Sequence, residues 1–172
     1  MTRASSLARR LVRRFASLGL TISTAESCTG GLISKLLTDV PGSSSVLLGG
    51  CVSYTNEVKI RVLGVSPSII ETETEVSAAC AKAMAEGARR LFGTDVALST
   101  TGYAGPTGGT DRDPVGTVYI GIATASGTSC VRLSAPPGSS RSAVRTLAAE
   151  RALEEGEGKA AGLCPAPCLG AF

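Results

Sequence analysis

Histidine is absent from this chain of 172 residues, and so is tryptophan. Without imidazole, neither a Ser-His-Asp triad nor a Cys-His pair can be assembled. An activated hydroxyl would have to take lysine or tyrosine as its base. Aromatic residues are scarce, with three Phe and three Tyr, so Leu, Val, Ile and Ala must fill the core. That scarcity also removes the basic, aromatic surface of a nucleic-acid binder. The net charge of +3 adds no electrostatic argument for one. No apolar run approaches the ~18 residues needed to cross a bilayer, so no membrane partner is expected. Acidic residues are missing from the first segment, where Arg3, Arg9, Arg10, Arg13 and Arg14 stand unopposed. That pattern reads either as a solvated helix face or as a mitochondrial presequence. The expected compartment is accordingly the cytoplasm, with the mitochondrion as the alternative.

What is present describes an ordinary globular chain, 43% hydrophobic and 18% charged. It is long enough for one domain that buries roughly two-thirds of its unfolded surface. The expected domain spans 1–153, and 154–172, rich in Gly, Ala, Pro and Cys, reads as a flexible tail. Six cysteines without a secretory signal make no disulfide framework. Cys51, Cys80 and Cys130 read as buried small hydrophobes. Cys164 and Cys168 lack the further ligands of a zinc site, and no metal or other cofactor is expected.

Periodicity predicts a helix over 5–18, a strand over Leu20–Ala25 and a helix over Thr29–Asp39. The apolar run Val46–Tyr54 reads as a buried strand. Asn56 is placed as N-cap of a helix over Glu57–Leu63 that Gly64 ends. Ser77 caps a helix over Ala78–Phe92, stopped by Gly93. A strand over Asp95–Thr101 leads into a glycine-rich loop to Pro114. Val115–Thr124 and Thr128–Ala135 are close enough to pair as a hairpin. Ser139 or Ser140 caps a last helix reaching about Leu153. Early alternation followed by a hairpin predicts an α/β fold, a three-layer α/β/α sandwich on a mixed sheet with a C-terminal antiparallel hairpin.

Three polar junctions follow strands and are expected to converge at one sheet edge: Glu26–Gly31, Tyr54–Lys59 and Thr101–Gly109. In the first, Ser27 and Cys28 are rival nucleophiles beside the glycine-freed N–H groups of Thr29, Gly30 and Gly31, where an oxyanion would be stabilised. Glu26 either orients the site or closes a hydrogen bond at the helix start. In the second, Lys59 falls in a first helical turn, whose positive end disfavours the ammonium and favours the neutral base. In the third, glycines let backbone amides approach a ligand closely. Arg141 and Arg145, one turn apart, are placed to hold a phosphate.

The stretches TAESCTGGLIS, LTDVPGSSSVLLGGCVSYTNEVKIRVLGV, VSAACAKAMAEGARRLFGTDVALSTTGYAGPTGG and DPVGTVYIGIA resemble the CinA C-terminal-domain family of nicotinamide-nucleotide amidases. The resemblance covers roughly residues 20–125 and is weaker through the last helix. It implies hydrolysis of the carboxamide of nicotinamide mononucleotide to nicotinate mononucleotide and ammonia by a Ser-Lys mechanism. It makes Ser27 the nucleophile, with Tyr54 and Lys59 its activating partners. Thr101, Gly102, Ala104 and Gly105 would shape the substrate loop and Arg141 would contact the ligand. Homo-oligomerisation is a further implication. The alternative is a nucleotide-binding module without turnover. The chain departs from the family pattern at Asp113, where relatives often carry Lys, and at Glu71–Glu75. Both departures are expected to bear on affinity or assembly and not on the dyad.

Overall fold

The structure, a computed structural model, describes residues 1–160 and 162–163. At its centre is a five-stranded mixed sheet in the order β2-β1-β3-β4-β5. Strand β1 (Ile22–Glu26) runs parallel to both β2 (Leu47–Val52) and β3 (Val96–Gly102). Strand β4 (Thr117–Thr124) is antiparallel to β3 and forms the expected hairpin with β5 (Gly127–Ser134).

The two faces of the sheet differ in side-chain size, and each selects its helices. Ile22, Val96, Leu98, Val118, Ile120 and Ile122 form one core with α1 (Arg3–Leu18), α2 (Leu32–Thr38) and α6 (Arg141–Ala160). The opposite face presents Ala25, Ala97 and Ala123 to α3 (Asn56–Leu63) and α5 (Ala78–Phe92). Small residues let α5 lie close to the strands. Ser99 Oγ donates to the Ala81 carbonyl at 2.6 Å, and a Cβ on Gly121 would meet that same oxygen at 2.3 Å. A short helix, α4 (Pro67–Glu73), precedes α5. The result is the three-layer sandwich, and its parallel strands deliver their carboxyl ends to one edge.

Local signals account for most element ends. Gly19, Gly64 and Gly93 close α1, α3 and α5 in the left-handed region that glycine adopts without strain. Ser77 Oγ accepts from Cys80 N–H at 3.1 Å, as a cap should.

Strand β2 spans Leu47–Val52, shorter than the expected Val46–Tyr54, and as an edge strand it has no buried residue. Other strand ends shift by a residue or two, and three helix boundaries differ for a structural reason. Thr55, not Asn56, caps α3, its hydroxyl accepting from Val58 N–H. Helix α2 starts at Leu32 because Gly30 and Gly31 hold φ of 60° and 93°, outside helical space. Helix α6 runs to Ala160, past the expected end near Leu153. Its last turns pack inward through Gly156 and Ala160, and Glu154 and Glu157 pair with Arg3 and Arg10. Cys164 and Cys168 lie outside the described residues.

The arginine-rich first segment is built into the domain. Leu11 and Phe15 of α1 are fully buried in the core that α6 also joins, so this helix is a core element. Among the described residues, no helix is long and apolar enough to cross a membrane.

Candidate active site

A cleft of about 210 Å³ opens where β1, the Tyr54–Lys59 junction and the loop after β3 meet. Ser27 stands just beyond the last residue of β1, its N–H bonded to the Thr100 carbonyl of the neighbouring strand. Lys59 comes from the first turns of α3, one residue past the position sequence spacing assigned it. Its Nζ lies 3.3 Å from Ser27 Oγ. The lysine is 1% exposed, and burial pulls its ammonium below the ordinary lysine value. Cys80, Glu75 and Cys28 oppose that shift electrostatically. A hydroxyl therefore faces an amine biased toward its neutral, proton-accepting form.

Cys28, the rival nucleophile, also reaches the cleft, but 94% of its surface is lost to the core around it. Burial pushes its thiol up to about 11. On that value only about one molecule in 10⁴ carries a thiolate at neutral pH. The geometry favours Ser27.

The helix start is arranged otherwise than expected. Glu26 is completely buried, and its carboxylate caps α2. One oxygen accepts from Thr29 Oγ1 at 2.7 Å and from the Gly31 and Ile33 N–H groups at 3.0 Å. The other accepts from Ser34 N–H and Oγ, both at 2.8 Å. A buried carboxylate must be satisfied in this way, and the positive helix end rewards it. Glu26, expected among the substrate-binding residues, thus caps α2 and does not line the cleft.

Because Gly31 N–H is given to Glu26 and Gly30 N–H to the Ser27 carbonyl, neither is free for an oxyanion. Thr29, Gly30 and Gly31 do not line the cleft. Among the described residues, the N–H groups of Cys28 and Thr29 make no hydrogen bond to another backbone group, and of the two only Cys28, next to Ser27, lines the cleft.

Tyr54 reaches the cleft, but its hydroxyl serves a different neighbour. The side chain is 58% exposed, and its oxygen accepts from Arg141 Nη2 at 2.8 Å instead of bonding to Ser27 or Lys59. Arg141, at the first position of α6, also donates to the Gly105 carbonyl at 2.7 Å. That fork ties the α6 start to the substrate loop and leaves further N–H groups for an anion. Arg145 is elsewhere, donating to the Thr29 carbonyl at 2.6 Å, so the two arginines do not form one clamp.

Thr101, Gly102, Ala104 and Gly105 all line the cleft as expected. A Cβ on Gly102 would meet the Thr117 carbonyl at 2.5 Å, so glycine is required where β3 leaves the sheet. Asp113, where the chain departs from the family pattern, is buried. It is 6% exposed and accepts from Tyr119 Oη at 2.9 Å and Arg132 Nε at 3.1 Å, pinning the end of the loop to β4 and β5.

Sequence reasoning missed Glu75 and Tyr103, both of which line the cleft. Glu75 sits in an acid-rich run that resembles solvated surface, and no local spacing marks it as inward.

These features define a class: an α/β/α protein whose strand-end cleft pairs a serine hydroxyl with a buried lysine and holds no imidazole. The CinA C-terminal domain matches residues 4–157, and the chain belongs to that family. A CinA-like protein of Geobacter sulfurreducens is 49% identical over 144 residues, covering 84% of this chain and 34% of that protein. A protein of Shewanella oneidensis named nicotinamide-nucleotide amidohydrolase PncC is 48% identical over 145 residues, with the same coverage of each. The chain thus spans about a third of the length of the curated relatives it matches. Among solved structures, the competence/damage inducible protein CihA of Agrobacterium tumefaciens superposes with a TM-score of 0.86 at 38% identity, covering 90% of this chain and 94% of that one. A CinA superfamily protein of Klebsiella pneumoniae gives 0.88 at 31% identity, covering 93% and 99%.

Proposed function

We propose that this chain hydrolyses the carboxamide of nicotinamide mononucleotide to nicotinate mononucleotide and ammonia, a reaction of pyridine-nucleotide salvage. The observation that carries the reading is the 3.3 Å approach of Ser27 Oγ to Lys59 Nζ in a cleft whose lysine is desolvated. The name of the Shewanella oneidensis relative supports the same activity.

The chemistry follows from the geometry. Neutral Lys59 takes the Ser27 proton as Oγ adds to the amide carbon, and the carbonyl electrons move to oxygen. The N–H of Cys28, which lines the cleft next to Ser27, is the available donor for that oxyanion; losing such a donor costs roughly 10²–10³ in rate. Collapse breaks the C–N bond, and the Lys59 ammonium protonates the departing nitrogen to ammonia. Water then adds to the acyl-serine with Lys59 again as base, releasing the carboxylate and restoring the hydroxyl. Arg141, with donors to spare, is suited to the phosphate.

Incubating the purified chain with nicotinamide mononucleotide and following ammonia and product mass tests this directly. Release of one ammonia per nicotinate mononucleotide formed is the expected result. Stoichiometric binding without turnover would instead establish a nucleotide-binding module.

A further inference from the structure

Three charged side chains line the cleft: Lys59, Arg141 and Glu75. The two cations have duties on the page, one against Ser27 and one bridging Tyr54 to Gly105. The Glu75 carboxylate has none: among the described residues it makes no hydrogen bond or ion pair, although its backbone is held firmly. Thr101 Oγ1 donates to the Glu75 carbonyl at 2.6 Å, and Ser77 Oγ to that of Thr74 at 3.0 Å. Thr74 itself adopts φ 72° and ψ 165°, a conformation that a β-branched residue takes only when its surroundings over-determine it. The chain thus bears local strain immediately before the residue that lines the cleft.

Tyr103 lines the same cleft and packs against a small apolar cluster that includes Val76, the residue following Glu75. The Tyr103 hydroxyl is raised by burial and then by the negative charges of Glu75 and Asp113, so the Glu75 field reaches the ring. An aromatic face beside an unneutralised carboxylate is the usual means of holding an organic cation.

We propose that Glu75 and Tyr103 form a subsite for a cationic heteroaromatic ring, making this cleft select positively charged ring amides over neutral ones. The inference rests on the amidase reading for the identity of the ring, and it deepens that reading by assigning specificity to two residues outside the dyad. In nicotinamide mononucleotide the pyridinium carries the charge that Glu75 lacks a partner for. Its reduced counterpart has the same sugar and phosphate but an uncharged dihydropyridine.

The test is calorimetric titration of the full chain carrying Ser27→Ala, which stops turnover, with the oxidised and reduced mononucleotides as probes. The oxidised form is expected to bind at least about tenfold tighter. Adding Glu75→Gln should remove about tenfold of that preference, leaving affinity for the reduced form unchanged. Tyr103→Leu should remove roughly threefold. Thermal melting identifies any variant that fails to fold. Equal binding of the two forms, binding of neither, or a Glu75→Gln loss common to both would overturn the subsite. Ammonia release by the unmutated chain is read separately. A preserved charge preference without ammonia release would sink the amidase reading alone; ammonia release with no charge preference would sink the subsite alone.

Discussion

Replacing Glu26 with glutamine separates a helix cap from a substrate contact, because the two roles fail in different assays. The carboxylate receives three donors on one oxygen and two on the other. However the new amide is set, its NH₂ faces one of those groups. The milder placement is toward Ser34, whose hydroxyl already shares a hydrogen bond with Thr24 Oγ1 and can reverse its role. Ser34 N–H cannot, and an orphaned buried donor costs about 1–3 kcal/mol. Loss of charge assistance on the Gly31 and Ile33 bonds adds about 1 kcal/mol each. The sum is about 3–5 kcal/mol. For a chain of this size, with about 2–4 °C per kcal/mol, the melting midpoint should fall by roughly 6–20 °C. Calorimetry reads the midpoint, and ammonia release well below the melt reads turnover by the molecules that remain folded. That turnover should survive within about tenfold, since Glu26 is buried and does not line the cleft. An unchanged midpoint with turnover abolished would refute the capping role and return Glu26 to the substrate.

The nucleophile is resolved by paired substitutions: Ser27→Ala should lower kcat by about 10³-fold or more, whereas Cys28→Ala should retain activity within about tenfold. Lys59→Met should abolish ammonia release without lowering the melting midpoint, since an apolar chain replaces a buried amine. The sign for stability follows from the lowered folded-state value of Lys59. Below the ordinary lysine range the unfolded chain holds this proton more tightly than the folded one. Its contribution is fullest above the unfolded value and is lost as pH falls through the folded one, a dependence that Lys59→Met should remove from a melting series. Asp113→Ala leaves Tyr119 Oη and Arg132 Nε without their shared acceptor and should cost about 2–4 kcal/mol by denaturant titration. KM should rise with it, as the loop end loses its hold on the hairpin.

The sheet and the dyad were legible in the chain because their signals are local. Glycine stops, the Ser77 cap and strand-end junctions state their conformations within a few residues, and Ser27 and Lys59 meet once parallel strands bring two such junctions to one edge. Features set by distant partners were not. Glu26 caps α2 from a strand end, across two glycines with positive φ, a geometry no helical periodicity reveals. Helix α6 continues through Gly156 against propensity, because that glycine admits Leu98 and Leu11, each within 3.3 Å of where a Cβ would stand. Tyr54 and Arg141 were both expected in the cleft, but their bond to one another joins positions 87 residues apart. Glu75 was hidden by its own neighbours: in a run of acids, only the turn at Thr74 brings one of them to the cleft.

The cleft sets its base against its own carboxylate. Burial favours neutral Lys59, while Glu75, together with the buried thiols of Cys80 from α5 and Cys28 beside Ser27, favours the ammonium. Of these three opposing groups the Cys28 and Cys80 thiols both stand at about 11, and Glu75 is the one carboxylate. A cationic ring docking beside Glu75 would offset that carboxylate's field and release Lys59 toward the free amine at the moment the amide arrives. Substrate charge would then assist in preparing the base. The consequence is visible in rate profiles, since kcat/KM reports groups of the free enzyme and kcat those of the complex. The rising limb of kcat should lie at lower pH than that of kcat/KM, and in Glu75→Gln both limbs should move to lower pH, because the carboxylate that favours the ammonium is gone from free enzyme and complex alike. Limbs that coincide in the unmutated chain would show that ring and carboxylate do not meet, and that burial alone makes Lys59 a base.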